Sequence, residues 1–97
     1  MPTLSINGIE KWQHYKRRNP PWIKLYNSIF NDYKFSRLTD CQKFHLISLW
    51  SLASVMDNSL PDDAEWLSAR VGARTKIDID AFISLGFINR ENEENAA

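Results

Sequence analysis

The side chains best suited to covalent or metal chemistry are few in this chain. Cys41 and His45 stand four residues apart, which places them on one face of a helix. A thiol and an imidazole so spaced could form a nucleophile pair or part of a metal site, but two ligands are too few for zinc. His14 is the other imidazole. We therefore expect Cys41 to be a small core residue with His45 as its polar neighbour, and we predict neither enzymatic activity nor a metal or cofactor.

A second group of candidate ligands is the carboxylate cluster Asp62, Asp63 and Glu65. Its spacing could suggest a divalent-cation site. Acidic residues in the first turn of a helix are, however, stabilised by the helix dipole, and this is a sufficient cause for the cluster. The sequence also lacks a glycine-rich phosphate loop and a Gly-x-Ser-x-Gly motif. These observations favour a binding function over catalysis.

The strongest candidate for nucleic-acid binding is the segment KWQHYKRRNPPWIK, residues 11–24. It contains three consecutive cations, Lys16, Arg17 and Arg18, which could neutralise phosphates. Its aromatic residues are Trp12, Tyr15 and Trp22, and these could stack on bases. The alternative is that the aromatic rings pack inward and the cations form a solvated rim. Both interpretations remain open from the sequence.

The charge of the whole chain is balanced but unevenly placed. The 97 residues have a net charge of zero, yet residues 1–45 hold eight Lys or Arg against three acids, and residues 46–97 hold four against nine. A single cysteine excludes an intrachain disulfide and suits a reducing compartment. We find neither a secretory signal nor a segment apolar enough to span a bilayer. The sequence therefore predicts a soluble, cytoplasmic protein with no membrane partner.

The residues from Leu60 to Arg90 carry the clearest order of elements. A capping box at Asp62 and Glu65 predicts a first helix, and Gly72 stands where a left-handed end is needed. Thr75 then predicts a second cap, and Gly86 ends that helix before the apolar pair Phe87-Ile88. A helix, a short glycine-containing turn, a helix and a strand together outline a winged helix-turn-helix.

The second helix of this unit has a mixed outward face. At 100° per residue, the apolar side chains cover one arc and Ile77 lies at the margin of the opposite arc. We expect Arg74, Thr75 and Lys76 at the helix N-terminus, the end suited to phosphate. Asp80, one turn later, partly neutralises Lys76. Arg90 is expected at the start or tip of the wing.

The remaining elements support this unit. Thr39 and Gln42 form a capping box that predicts a core helix up to Met56, apolar on several sides, followed by a left-handed stop at Asp57-Asn58. We predict a short strand or hairpin arm within residues 3–12, an edge strand at 22–25 and a short helix at about 26–31. The loop that follows is expected to be anchored by Tyr33, Phe35 and Leu38.

The run Arg18-Asn19-Pro20-Pro21-Trp22-Ile23-Lys24-Leu25 resembles a family of phage and prophage replication proteins. Further similarity lies at Asp32-Tyr33, at residues 49–54 and at Gly86-Phe87-Ile88. The N-terminal domain of these proteins is similar to the winged helix of phage replisome organisers. The resemblance implies binding of an origin or assembly of a primosome, with helicase-loading or other replication proteins as partners.

We therefore predict an α+β, mainly α, winged helix-turn-helix with a small antiparallel sheet over residues 1–90. An acidic tail, disordered or the start of a linker, follows at 91–97, and we expect the chain to be the front part of a longer protein. The predicted function is the binding of duplex DNA by a phage-type replication initiator or replisome organiser. Alternatives are a protein–protein or homo-oligomerisation module and a winged-helix transcriptional regulator. The candidate contact residues are Lys16, Arg17, Arg18, Arg74, Thr75, Lys76 and Arg90.

Overall fold

The computed structural model describes residues 2–8 and 22–91. These residues form four α-helices and a three-stranded antiparallel sheet, which confirms the predicted small α+β architecture. The strands are β1 (Thr3–Ile6), β2 (Leu60–Pro61) and β3 (Ile88–Glu91). The helices are α1 (Tyr33–Ser36), α2 (Asp40–Val55), α3 (Ala64–Arg70) and α4 (Ile79–Ser84), with a 3-10 helix at Asn27–Asn31. None of these helices is long and apolar enough to cross a membrane.

The long helix α2 begins as its sequence predicts. The Thr39 hydroxyl accepts a hydrogen bond from the Gln42 backbone N–H at 3.1 Å, and the Gln42 side chain accepts one from the Thr39 N–H at 3.0 Å. This capping box satisfies two donors that the first turn would otherwise leave unpaired. The helix ends at a left-handed pair, because Asp57 and Asn58 have φ angles of 53° and 54°. Both predicted ends of the core helix are confirmed.

The core lies between the sheet and α2, α3 and α4. Each of these elements contributes large, fully buried side chains, and the loop before α4 contributes one more, Ile77: the set is Leu4, Leu46, Leu49, Leu60, Leu67, Ile77, Phe82 and Ile88. The prediction that Cys41 is a core residue is wrong, since its side chain is exposed. Phe44 is likewise exposed, so α2 is buried on fewer sides than its composition suggests.

The sheet has its N-terminal strand at the centre. The strand order is β2-β1-β3, and β1 pairs antiparallel with both neighbours. Thr3 faces Pro61 on one side and Glu91 on the other. The predicted strand within residues 3–12 is therefore confirmed at Thr3–Ile6, and its partners are distant strands. β3 includes Glu91, one residue beyond the predicted end of the domain.

The starts of α3 and α4 correct two predictions. Asp63, not Asp62, caps α3 by accepting from the Trp66 N–H at 3.0 Å. Asp78, not Thr75, caps α4 by accepting from the Ala81 N–H at 3.1 Å. Aspartate is at least as good an N-cap as threonine, so the later residue can displace the earlier one. The predicted left-handed glycines are both confirmed, with φ of 73° at Gly72 and 84° at Gly86.

The segment before α1 departs from the predicted edge strand. Residues 22–26 have no regular secondary structure, and only Ile23 packs against the core. One buried side chain does not make the alternating face that a strand needs. The 3-10 helix that follows lies close to the helix predicted at about 26–31.

Candidate nucleic-acid interface

The three consecutive cations Lys16, Arg17 and Arg18 lie outside the described residues. The chain leaves the described region at Gly8, beyond the end of β1, and returns at Trp22. Gly8 is four residues from Leu4, the residue that pairs with Arg90. β1 ends at Ile6 and Gly8 has a φ of 69°, so the strand ends before this segment begins.

The loop between α3 and α4 holds Arg74, Thr75 and Lys76, all exposed. Thr75 does not cap a helix. Its hydroxyl lies 3.0 Å from the Cys41 Sγ and 3.4 Å from the His45 Nε2. These contacts attach the middle of the loop to the first turns of α2. Arg74 and Lys76 therefore project from a loop rather than from the helix N-terminus that the sequence predicted.

A second contact fixes the end of the same loop. The buried Ser68 hydroxyl accepts a hydrogen bond from the Ile77 backbone N–H at 3.0 Å and donates to the Ala64 carbonyl at 2.6 Å. Ile77 is itself buried, so its predicted position at the margin of the outward face is wrong. With Thr75 and Ile77 both attached to neighbouring helices, the backbone that carries Arg74 and Lys76 has a defined position.

The surroundings of Lys76 are acidic. Lys76 lines one cleft with Asp62, Asp63 and Glu65, and an adjoining cleft with Asp78 and Asp80. These carboxylates attract the ammonium group and would repel a nucleic-acid backbone approaching from this side. Arg74 is thus better placed than Lys76 for a phosphate contact.

Arg90 is held by two carboxylates. Its Nε lies 2.5 Å from the Asp62 Oδ2, and its Nη2 lies 3.2 Å from the Asp80 Oδ1. The hydrogen bond that Arg90 donates to Asp62 raises the pKa of the guanidinium, which is already charged at neutral pH. This cluster joins β3 to α4 and to the residue before the α3 cap. A phosphate that contacts Arg90 has to compete with these two carboxylates.

Cys41, His45 and Thr75 form a polar cluster beside the same loop. The Cys41 Sγ lies 3.5 Å from the His45 Nε2, and His45 is only 3% exposed. Burial lowers the pKa of His45, which favours a neutral imidazole at pH 7. Within residues 2–8 and 22–91, His, Cys, Asp and Glu side chains do not gather into any group of three that could hold a metal. The contacts of this cluster are those of a structural anchor for Thr75.

The sequence interpretation missed a surface around α1. Tyr33, expected to anchor a loop, is 74% exposed, and Phe30 is 71% exposed. The buried anchors are Phe35 and Leu38, as predicted. The Arg37 guanidinium lies 5.9 Å from the centre of the Tyr33 ring, and the Lys43 ammonium lies 5.6 Å from that of Phe35. The alternation of aromatic and basic residues from 30 to 37 was the available signal.

A cleft of about 270 Å³ lies between this region and the end of the sheet. Its lining combines aromatic rings, amides and charged groups: Asn7, Lys24, Leu25, Tyr26, Ser28, Ile29, Asp32, Trp50, Gly86 and Phe87. The Asn7 side chain donates to the Gly86 carbonyl at 2.6 Å, which closes the end of the cleft at the α4–β3 turn.

Comparisons with protein-family models, with curated proteins and with solved structures found no match to this chain. The resemblance to phage replication proteins therefore rests on the sequence motifs alone. Function has to be inferred from the residues and their geometry.

Proposed function

We propose that this domain is a winged helix-turn-helix that binds duplex DNA during phage-type replication initiation. The observation that carries this proposal is the loop between α3 and α4, which presents the exposed Arg74 and Lys76 from a backbone fixed at Thr75 and Ile77. A positioned pair of cations loses little conformational freedom when it contacts phosphates. Lys16, Arg17 and Arg18 supply the further charge that such a site needs.

The order of elements supports the winged-helix part of the proposal. The helices α2, α3 and α4 follow one another, with β2 after the first and β3 after the third. Because β1 pairs with β3 on its inner side, a returning wing strand would have to pair along the outer edge of β3. Arg90 lies on β3 and contacts α4 through Asp80, so DNA bound along α4 would also approach Arg90.

Duplex binding is tested by fluorescence anisotropy of a labelled duplex over a range of salt concentrations. We expect the Lys16→Ala/Arg17→Ala/Arg18→Ala variant to lose most of the affinity measured at low salt. Replacing Arg74 with Ala should lower the slope of log K against log salt by about 0.9, the value for one phosphate contact. Arg70→Ala removes the same charge from the exposed end of α3 and is the matched control, with an unchanged slope expected.

Two results would count against the proposal. If neither set of variants alters the affinity, these cations do not contact DNA. If the unchanged chain binds no duplex at low salt, the binding function itself is wrong.

A second candidate function is a protein–protein module within primosome assembly. The acidic cleft residues Asp62, Asp63 and Glu65 favour a basic partner on this side, such as a helicase-loading protein. Charge reversal at Glu65, which leaves the Asp63 cap of α3 in place, distinguishes the two functions. It should strengthen duplex binding if this side meets DNA, and it should weaken capture of a basic partner if this side docks a protein.

A further inference from the structure

A second candidate surface lies outside the loop between α3 and α4. It is formed by Phe30, Tyr33, Arg37 and Lys43 and is here called the aromatic–basic surface. Its two aromatic side chains are more than two-thirds exposed. Burying such rings normally contributes to stability, and Phe30 contacts a ring, Phe35, that does pack in the core. Exposed aromatic groups of this size are characteristic of binding surfaces.

The side chains of this surface make contacts in two groups: Phe30 and Lys43 contact the Phe35 ring, and Arg37 contacts the Tyr33 ring. The ring centres of Phe30 and Phe35 are 6.3 Å apart in an edge-to-face arrangement. The Lys43 ammonium lies over the Phe35 ring, and the Arg37 guanidinium lies over the Tyr33 ring. Tyr33 therefore has a cation at its own ring, and Phe30 contacts the ring over which Lys43 lies.

The exposed aromatic rings lie mostly in the part of the sequence that carries a net positive charge. Residues 22–44 contain four cations and two acids, whereas residues 45–91 contain four cations and seven acids. One of the two acids, Asp32, caps α1 by accepting from the Phe35 N–H at 2.8 Å. Five of the six exposed aromatic residues in the described regions lie in the positive part: Trp22, Tyr26, Phe30, Tyr33 and Phe44. The sixth, Trp66, lies in the negative part.

We propose that the aromatic–basic surface binds single-stranded DNA, with bases stacked on Phe30 and Tyr33 and phosphates contacted by Arg37 and Lys43. Aromatic rings interleaved with cations are the chemistry by which proteins bind single strands without reading their sequence. In a duplex the bases are already stacked on one another, so they cannot stack on Phe30 and Tyr33. The inference rests on the proposed DNA-binding function and adds to it a separate surface for single-stranded DNA.

The test measures binding of the 97-residue chain to two labelled probes. One is an oligothymidylate longer than the usual site size of roughly 4–16 nucleotides, and the other is a mixed-sequence duplex. Tyr33→Ala should weaken oligothymidylate binding about fivefold or more and leave duplex binding unchanged. Phe30→Leu, which keeps an apolar contact with Phe35 but removes the flat ring, should have a similar effect. Trp66→Ala is the matched control, since it removes an exposed ring from the negative part.

The salt dependence separates the stacking contribution from the ionic one. Arg37→Ala should reduce the slope for the single strand by about 0.7, the value for one phosphate contact, whereas Tyr33→Ala should leave the slope unchanged. Circular dichroism of each variant checks that α1 and α2 remain folded.

Three outcomes would overturn the inference, and they can be distinguished. If Tyr33→Ala and Phe30→Leu bind the oligothymidylate with wild-type affinity, this surface does not bind single-stranded DNA. The duplex proposal would then remain intact. If the chain binds neither the oligothymidylate nor the duplex, the proposed function is overturned as well. If the chain sediments as a dimer that Tyr33→Ala converts to a monomer, the occupant of the surface is a second copy of the chain.

Discussion

The side-chain amide of Asn58 pairs with both backbone groups of Ile6. Its Oδ1 accepts from the Ile6 N–H at 2.6 Å, and its Nδ2 donates to the Ile6 carbonyl at 3.2 Å. The register of β2 with β1, in which Leu60 faces Leu4, places Asn58 opposite Ile6. The amide therefore extends the two-residue strand β2 by one further pair of hydrogen bonds, although Asn58 itself is left-handed.

Asn58→Gly should destabilise the domain by about 2 kcal/mol, since each of two partly buried hydrogen bonds contributes about 1 kcal/mol. Glycine keeps the left-handed φ without steric strain, and the greater backbone entropy of its unfolded chain adds roughly 0.5–1 kcal/mol to the loss of the amide. Asn58→Ala should cost a further 1–2 kcal/mol or so, because alanine also disfavours that conformation. Urea unfolding monitored by circular dichroism measures both values. Equal stability of Asn58→Gly and the unchanged chain would show that the amide pair contributes nothing.

Ser68→Ala should destabilise the domain by about 1–3 kcal/mol, because the Ile77 N–H loses its acceptor in a buried position. Hydrogen exchange of the amides of residues 75–77 should become faster, since one end of the loop is released. Ser84→Ala, at an exposed position of α4, serves as the control. Unchanged exchange at residues 75–77 would mean that Thr75 alone holds the loop.

The free energy of unfolding should decrease as the pH falls below about 6.5, the ordinary pKa of histidine. Burial lowers the pKa of His45 in the folded chain, so in this range the unfolded chain binds a proton that the folded chain does not. Above pH 6.5 this contribution is fully present. One such group gives a slope of at most about 1.4 kcal/mol per pH unit. Chemical unfolding at several pH values should show that His45→Gln removes this dependence; an identical pH profile would assign it to other groups.

Asp80→Asn should strengthen duplex binding roughly threefold, on the proposed function. It removes a negative charge from the outward face of α4 and frees one contact of Arg90. A unit charge about 7 Å from a phosphate contributes ~0.6 kcal/mol in water. Asp57→Asn, outside the proposed surface, is the charge-matched control. Equal affinities of the two variants in anisotropy titrations would place α4 away from the DNA.

The two ends of α2 and the two turn glycines were the most predictable features of this fold. The capping box at Thr39 and Gln42, the left-handed Asp57-Asn58 pair and the two turn glycines depend on residues within one helical turn of each other. Such short-range signals are readable from sequence because no distant partner decides them.

The loop between α3 and α4 was less predictable, because distant contacts decide its structure. Thr75 and Asp78 are both acceptable caps, and the choice depends on the bond from Ile77 to Ser68, nine residues away. The pairing of Arg90 with Asp62 spans 28 residues. Likewise, only the packing reveals that Phe35 is buried and Tyr33 is exposed, since both are aromatic residues of one short helix.

The central position of β1 also constrains how the chain reaches its folded state. Residues 3–6 pair with residues 60–61 and with residues 88–91, so β1 cannot complete its pairing until β3 has been synthesised. At about 5–20 residues per second, synthesis of the intervening ~85 residues takes roughly 4–17 s. The edge of β1 that pairs with β3 lacks its partner for the whole of that time, even after β2 has been synthesised, while the helices can already form locally. Completion of the sheet is therefore a late event that joins the two ends of the domain.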